Sequence, residues 1–204
     1  MRPAYPHLIA RARQVIAALC ISLSLSAQVT DRDLFDAYLR EDMTVWQAYV
    51  DSLQPSAVSH QTLIYEYGFC GYIVDKDKEA AKPYVQQFRQ HVEASKNALP
   101  VGHYEMYMSA VYVYELRLHT SIHPVKAMNL AKKATQLAPE DPLILSYYGT
   151  CMFYAPKPFG SKAEALQWFE RAEPYFQDPK WELCWIREAN TMYIGQCKEK
   201  LQKK

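Results

Sequence analysis

The stretch KATQLAPEDP, residues 133–142, ends one helix and begins the next. Small and apolar residues recur every three to four positions over 124–137, which is the spacing of one helix face. Pro139 and Pro142 interrupt this pattern, because proline disfavours helical geometry in the residue before it but is tolerated in a first helical turn. The two acids between the prolines favour the N-terminus of a following helix over 143–154. The segment therefore predicts two helices joined by a tight turn.

Helical spacing extends over the chain from residue 30 onward. Thr30 or Asp31 can cap a first helix, and Asp42 can cap a second that ends before Pro55. Glycine numbers only 6 of 204 residues, which argues against a sandwich or barrel with many tight turns. We therefore predict an all-α fold. The other expected helices run through 63–73, from a break at 75–78 to near Pro100, and over about 103–118, 124–137, 143–154, 161–178 and 181–202.

Two of these helices repeat each other. Ala127 and Ala134 recur 38 residues later as Ala165 and Ala172. Small residues let the two helices of a pair approach closely, and large residues fill the space between pairs. One further small position supports the repeat, since Ala110 corresponds to Gly149 in the helix that precedes each copy.

The junction at 133–142 and the small and large positions over 145–172 resemble the tetratricopeptide repeat family. The resemblance implies a helix-turn-helix repeat solenoid of about three helix pairs over 61–179, and it is strongest over 103–179. The spacing of 38 exceeds that family's period of about 34, which implies about four extra residues in the loop within each pair. The same resemblance makes 28–204 a single domain, with 28–58 as an N-terminal helical cap and 180–204 as a C-terminal capping helix.

The N-terminal segment has the composition of an export signal. Three arginines lie within the first 13 residues, an apolar run follows over 15–25, and small residues end it at Ala27. The run is too short for a comfortable membrane span. We expect 1–27 to be a signal peptide, cleaved near Ala27, and the mature chain to be periplasmic or extracellular. A buried N-terminal helix is the alternative interpretation. An export signal followed by a helical-repeat domain resembles the organisation of many secreted bacterial proteins.

Charge and motifs argue against several function classes. The formal net charge of +1 lacks the basic excess that nucleic-acid binding requires. No nucleotide-binding loop, zinc-protease motif or serine-hydrolase motif is present, so we expect no catalytic residue and no cofactor. His119 and His123 are four residues apart, but Pro124 follows directly and places them in a loop, which disfavours a metal site there. His60, His91 and His103 are isolated in sequence and are expected to be surface or satisfied histidines.

Four cysteines remain after the signal segment. An even number in an exported chain permits disulfides, and Cys151–Cys184 is the first pair to test. Free cysteines buried in helices are the alternative, since cysteine is a common core residue. No CxxC spacing indicates zinc.

Tyrosine is unusually frequent, at 16 residues. In tetratricopeptide proteins, fixed positions on the first helix of each pair line a concave groove, and the resemblance carries these positions onto eight aromatic residues. Their rigid apolar bodies and, in tyrosine, polar tips suit partner recognition. Two alternatives stay open, in which the aromatic residues form the core or the chain's own N-terminal helices fill the groove. The eight are Tyr65, Phe69, Tyr72, Tyr104, Tyr107, Tyr114, Phe153 and Tyr154.

These features predict a non-enzymatic, exported interaction or scaffold module that binds a peptide or protein partner in an aromatic groove. A structural subunit of an obligate assembly is the main alternative, and a small-ligand or glycan-binding protein is a further one. Neither a nucleic-acid partner nor a membrane span in the mature chain is expected.

Overall fold

The computed structural model of the chain describes residues 29–54, 56, 58–120 and 123–203. Within these ranges the chain forms nine α-helices and two short 3-10 helices, without a strand, so the all-α prediction is confirmed. The predicted signal peptide, 1–27, lies outside the described residues. The helices are α1 (Asp31–Leu39), α2 (Met43–Asp51), α3 (His60–Lys76), α4 (Lys78–Ser95), α5 (His103–Arg117), α6 (Pro124–Leu137), α7 (Pro142–Tyr154), α8 (Lys162–Ala172) and α9 (Trp185–Gln202).

Polar side chains fix the helix starts that the sequence predicted. Of the two possible caps of α1, Thr30 is the one used: its hydroxyl accepts from the Asp33 N–H at 3.2 Å. The Asp33 carboxylate accepts from the Thr30 N–H at 2.9 Å, which completes a capping box. Asp42 caps α2 by accepting from the Thr44 N–H. The Ser161 hydroxyl likewise accepts from an N–H in the first turn of α8, so local chemistry sets these boundaries.

Three predicted boundaries are wrong, each for a local reason. A break was expected over 75–78, but only Asp77 is outside a helix: it follows the last residue of α3 and caps α4 with its side chain. The helix expected to reach residue 178 ends at Ala172, because Pro174 has no N–H to donate; a 3-10 helix, Glu173–Gln177, follows. The last helix begins at Trp185 and not near 181, since Pro179–Trp181 forms a separate 3-10 turn.

The helices pack as successive pairs. Helix α3 packs on α4, α5 on α6 and α7 on α8, and the first helices of neighbouring pairs also touch, α3 with α5 and α5 with α7. Helices α1 and α2 precede these pairs, and α9 packs against α8 and α7. The alanines predicted to repeat at 38 residues are all buried where the helices meet. Along the described part of the chain, no helix is both long and apolar enough to cross a bilayer.

A charged pair lies between α3 and α4. The side chains of Glu66 and His91 are each 1% exposed, and His91 Nδ1 lies 2.8 Å from the Glu66 carboxylate. The hydrogen bond to Glu66 raises the pKa of His91 and favours its protonated form. The Gln87 side-chain amide donates to the same carboxylate at 3.4 Å. Because neither side chain reaches solvent, each charge is stabilised by the other and by the Gln87 amide, and not by water.

We expect His91→Leu to destabilise the fold by about 3–5 kcal/mol, because it leaves the Glu66 carboxylate buried without its partner. The double variant Glu66→Leu/His91→Leu should be markedly more stable than His91→Leu alone, since it removes both charges. Urea denaturation followed by circular dichroism measures both. A double variant no more stable than the single one would contradict the ion pair.

Candidate functional site

The eight aromatic residues predicted to line a concave groove do not share one open surface. Tyr154 is 67% exposed, whereas Tyr72 and Tyr104 are half-buried. The prediction of an open groove is wrong for the other five, because they pack inside the chain's own core. These five, each at most 6% exposed, are Tyr65, Phe69, Tyr107, Tyr114 and Phe153.

Two tryptophans, one from each end of the helical array, fill the space over α3. Trp46 of α2 and Trp185 of α9 lie with ring centroids 5.8 Å apart. Both rings rest on Gly68, where an added Cβ would lie 2.5 Å from Trp46 and 2.8 Å from Trp185. The Trp185 indole N–H donates to the Ile64 carbonyl at 3.1 Å, and the Trp46 indole N–H donates to the Leu34 carbonyl at 2.7 Å. Because Gly68 has no side chain, α2 and α9 can both pack a tryptophan against α3 at this position.

Tyrosines from three successive first helices complete this interior. The ring of Tyr67 lies 5.7 Å from Trp185, 5.9 Å from Tyr147 and 6.1 Å from Tyr114, measured between centroids. The Tyr114 hydroxyl donates to the Tyr67 carbonyl at 2.8 Å, and the Tyr147 hydroxyl pairs with the Ser109 hydroxyl at 2.8 Å. Burial raises the pKa of Tyr67, Tyr114 and Tyr147, so all three are neutral near pH 7. Tyr114, which was predicted to line a binding groove, therefore packs with Tyr67, Tyr147 and Trp185 in an interior that holds α3, α5, α7 and α9 together.

A line of polar side chains joins the N-termini of α3, α5 and α7. His103 Nε2 lies 2.9 Å from the Asp141 carboxylate, and His103 Nδ1 lies 2.7 Å from His60 Nε2. His103 is 1% exposed. Asp141 also caps α7, accepting from the Leu143 and Ile144 N–H groups. One carboxylate therefore serves a helix N-terminus and a histidine of the preceding pair.

The protonation of this line follows from its neighbours. Burial opposes the charge of Asp141, but the hydrogen bond and charge of His103 outweigh it and lower the pKa of that carboxyl. Burial and the charge of His103 lower the pKa of His60 to about 4. His60 is therefore neutral near pH 7, and one of the two facing nitrogens, His60 Nε2 or His103 Nδ1, donates to the other, while His103 Nε2 donates to the Asp141 carboxylate.

His60 and His103 are isolated in sequence and no contact between them was predicted, but the structure brings their rings within hydrogen-bond distance. A signal was available, because His103 and Asp141 are 38 residues apart, the same spacing as the repeated alanines. Residues separated by one repeat lie side by side in adjacent pairs. The expectation of satisfied histidines is confirmed for His91 and His103, since both are buried and hydrogen-bonded.

The exposed aromatic surface lies at the connection between α7 and α8. Tyr154 ends α7, and Phe159, in the following loop, is 71% exposed. The Tyr154 hydroxyl lies 3.1 Å from the hydroxyl of Tyr193 on α9, and the Tyr193 ring stacks on Phe169 with centroids 5.1 Å apart. We call Tyr154, Phe159 and Tyr193 the aromatic corner. Phe159 was missed from sequence because the repeat resemblance assigns binding positions to helices and none to this loop.

Cysteines and histidines form no further site among the described residues. Cys70, Cys151, Cys184 and Cys197 are free thiols, so the Cys151–Cys184 disulfide is not formed. Burial raises the pKa of Cys184 to about 11, which keeps its thiol neutral and unreactive near pH 7. Across residues 29–54, 56, 58–120 and 123–203, no three or more histidine, cysteine and acidic side chains are arranged to hold a metal ion.

Gly68→Ala should destabilise the fold by about 2–3 kcal/mol, because the new methyl forces both indole rings out of place. Gly195→Ala on α9 is the matched control: it meets no atom within 4 Å. That control should stabilise by about 0.5–1 kcal/mol through helix propensity. Thermal unfolding by circular dichroism gives both values, and equal stability of the two variants would contradict the packing of Trp46 and Trp185 on α3.

Acid should destabilise the protein partly through His60. Because its folded pKa is about 4 against an ordinary 6.5, the unfolded chain binds a proton in this window that the folded chain does not. Stability is therefore present above pH 6.5 and is lost as pH falls towards 4, by about 2 kcal/mol after allowance for solvent screening.

Chemical denaturation at pH 7 and pH 4.5 tests this. His60→Gln should lose less stability than the unsubstituted chain between the two pH values, because it has no proton to gain at this position. The exposed His123→Gln variant should lose as much as the unsubstituted chain. Indistinguishable losses in the His60→Gln variant and the unsubstituted chain would show that His60 is not held neutral.

Comparisons of the chain with protein-family models, with curated proteins and with solved structures found no match.

Proposed function

We propose that this chain is a non-enzymatic interaction module of the tetratricopeptide-like helical-repeat type, and that it binds a protein partner through the aromatic corner. The observation that carries the proposal is the exposure of Tyr154 and Phe159, 67% and 71%, at one connection of an otherwise well-packed array. Aromatic side chains are enriched at the centres of protein interfaces and depleted from inert surface. This module uses the corner in place of a concave groove, since its own tryptophans fill the groove.

The corner is held in place for binding. Tyr154 packs against Phe153, with ring centroids 5.0 Å apart, and against Tyr193, with centroids 6.2 Å apart. The hydroxyl contact between Tyr154 and Tyr193 further restricts both rings. A side chain that is already ordered loses little conformational entropy when a partner docks, which favours affinity. Tyr154 is also the one of the eight predicted binding residues that stays well exposed.

The other exposed apolar side chains favour a module over an obligate subunit. Leu39, Val101 and Val125 are each more than half exposed, but they lie on α1, before α5 and on α6 respectively. Single apolar residues scattered over a surface are normal, whereas an obligate interface needs a large contiguous patch. We therefore propose a monomer that meets its partner transiently.

The proposal places the module outside the cytoplasm. Its support is the N-terminal composition, with three arginines, an apolar run and small residues before Gln28. The partner is then a protein of the periplasm, of the cell surface or of the extracellular medium.

A photo-crosslinking amino acid placed at Phe159 should capture a partner from extracts of the source organism. The same group placed at the exposed Val125 of α6 is the matched control and should capture none. Adding Tyr154→Ala to the Phe159 probe should reduce the adduct strongly, because loss of an aromatic anchor at an interface costs about 2 kcal/mol, roughly thirtyfold in affinity.

Size-exclusion chromatography with light scattering should report a monomer for the purified chain. Adducts of equal yield from the Phe159 and Val125 probes would contradict the corner as the binding surface. A stable oligomer of the chain would instead favour the obligate subunit.

A further inference from the structure

Two lysines converge on one buried ring beside the aromatic corner. The Lys162 ammonium lies 3.3 Å from the centroid of the Phe153 ring, and the Lys200 ammonium lies 4.8 Å from the same centroid. Lys162 is also 5.9 Å from the centroid of the Tyr154 ring. Lys162 begins α8 and Lys200 lies on α9, so the pair is assembled by the packing of two helices.

The positive charge of this pair is not balanced by an acid. Among the described residues, neither Lys162 nor Lys200 has a carboxylate within 4 Å, whereas the nearby Lys198 pairs with Glu170 at 2.9 Å. Burial and the charge of Lys200 lower the pKa of Lys162, as expected for like charges held together.

Other parts of the chain offer little compensation. Lys162 donates to the Phe153 carbonyl, which anchors the ammonium and leaves two of its three N–H donors for other acceptors. The thiol of Cys197 lies near both lysines, but burial raises its pKa, so it is neutral near pH 7. The sequence before Asp31 contains no acidic side chain that could fold onto the pair.

We propose that Lys162 and Lys200 receive a carboxylate side chain from an acidic segment of the partner, while Tyr154 and Phe159 pack against an apolar residue next to it. This inference rests on the proposed function and names its ligand class. An ammonium pair with unused donors binds a carboxylate by charge-assisted hydrogen bonds, which are the strongest kind available at a surface. The adjacent exposed rings favour a peptide over a small inorganic anion, because an acidic peptide presents a carboxylate and an apolar side chain together, whereas the anion has no apolar part.

A fluorescein-labelled peptide, Glu-Phe-Glu-Glu-Phe-Glu, tests the inference by fluorescence anisotropy with the full-length chain. We expect measurable binding that weakens as NaCl rises, because salt screens charges near a surface. The variant Lys162→Gln/Lys200→Gln should bind the peptide about tenfold more weakly, which corresponds to loss of about one charge-assisted contact.

Two variants control for the fold and for nonspecific charge. Lys162→Arg/Lys200→Arg keeps both charges and should retain most of the binding. Lys132→Gln removes an exposed lysine on α6 and should leave binding unchanged.

The inference is overturned if the peptide Gln-Phe-Gln-Gln-Phe-Gln binds as tightly as the acidic one, or if Lys132→Gln weakens binding as much as the double glutamine variant. Displacement of the acidic peptide by an equal concentration of inorganic phosphate would also overturn it and would identify a free-anion site.

The Phe159 crosslinking probe separates this inference from the function on which it rests. If the adduct forms in equal yield with Lys162→Gln/Lys200→Gln, the proposed interaction module is supported and the proposed carboxylate site is rejected. Absence of any adduct from the unsubstituted surface contradicts the module itself.

Discussion

The packing of Trp46 and Trp185 on Gly68 is the contact on which the rest of the structure depends. It brings α2 and α9 together over the middle of α3, with the Trp185 indole N–H bonded to the Ile64 carbonyl. Trp46 is buried and Trp185 is partly buried, and together they contribute a few kcal/mol of hydrophobic stabilisation. The same contact makes the inner face of the helical array part of the core, so the strongly exposed aromatic residues Tyr154 and Phe159 lie outside it.

Polar contacts within and between helix pairs support this packing. The Glu66–His91 pair joins α3 to α4, and the line from His60 through His103 to Asp141 joins the N-termini of α3, α5 and α7. Each buried polar group in these two clusters has a partner, as a stable interior requires. Outside this interior, the exposed Tyr154 and Phe159 and the uncompensated Lys162–Lys200 pair lie near the connection between α7 and α8.

Local sequence predicted the helices well, because caps, prolines and helical spacing act over a few residues. Thr30, Asp42 and Ser161 cap their helices as expected, and the alanines at a spacing of 38 are buried where helices meet. Helix ends at Asp77 and Pro174 were misplaced by a few residues, since one side chain or one missing N–H decides them.

Local sequence could not predict whether the inner face of the helical array is open or filled. The state of this face depends on a contact between Ile64 and Trp185, which are 121 residues apart, and no local pattern reports such a contact. The aromatic residues also look alike in sequence whether they form a core or a binding surface, so Tyr107 and Tyr154 could not be told apart. The line of His60, His103 and Asp141 was detectable in principle, because two of its members share the repeat spacing.

Hydrogen exchange of the indole N–H groups, followed by NMR, tests the filled groove most directly. The chain has four tryptophans, and the indole N–H groups of Trp46 and Trp185 donate to backbone carbonyls within the fold. Both should exchange only when the array opens, and so more slowly than those of Trp168 and Trp181, whose indole N–H groups donate to no acceptor among the described residues. Exchange of the Trp185 indole as fast as that of Trp181 would contradict the account, because it would show that the inner face is open to solvent.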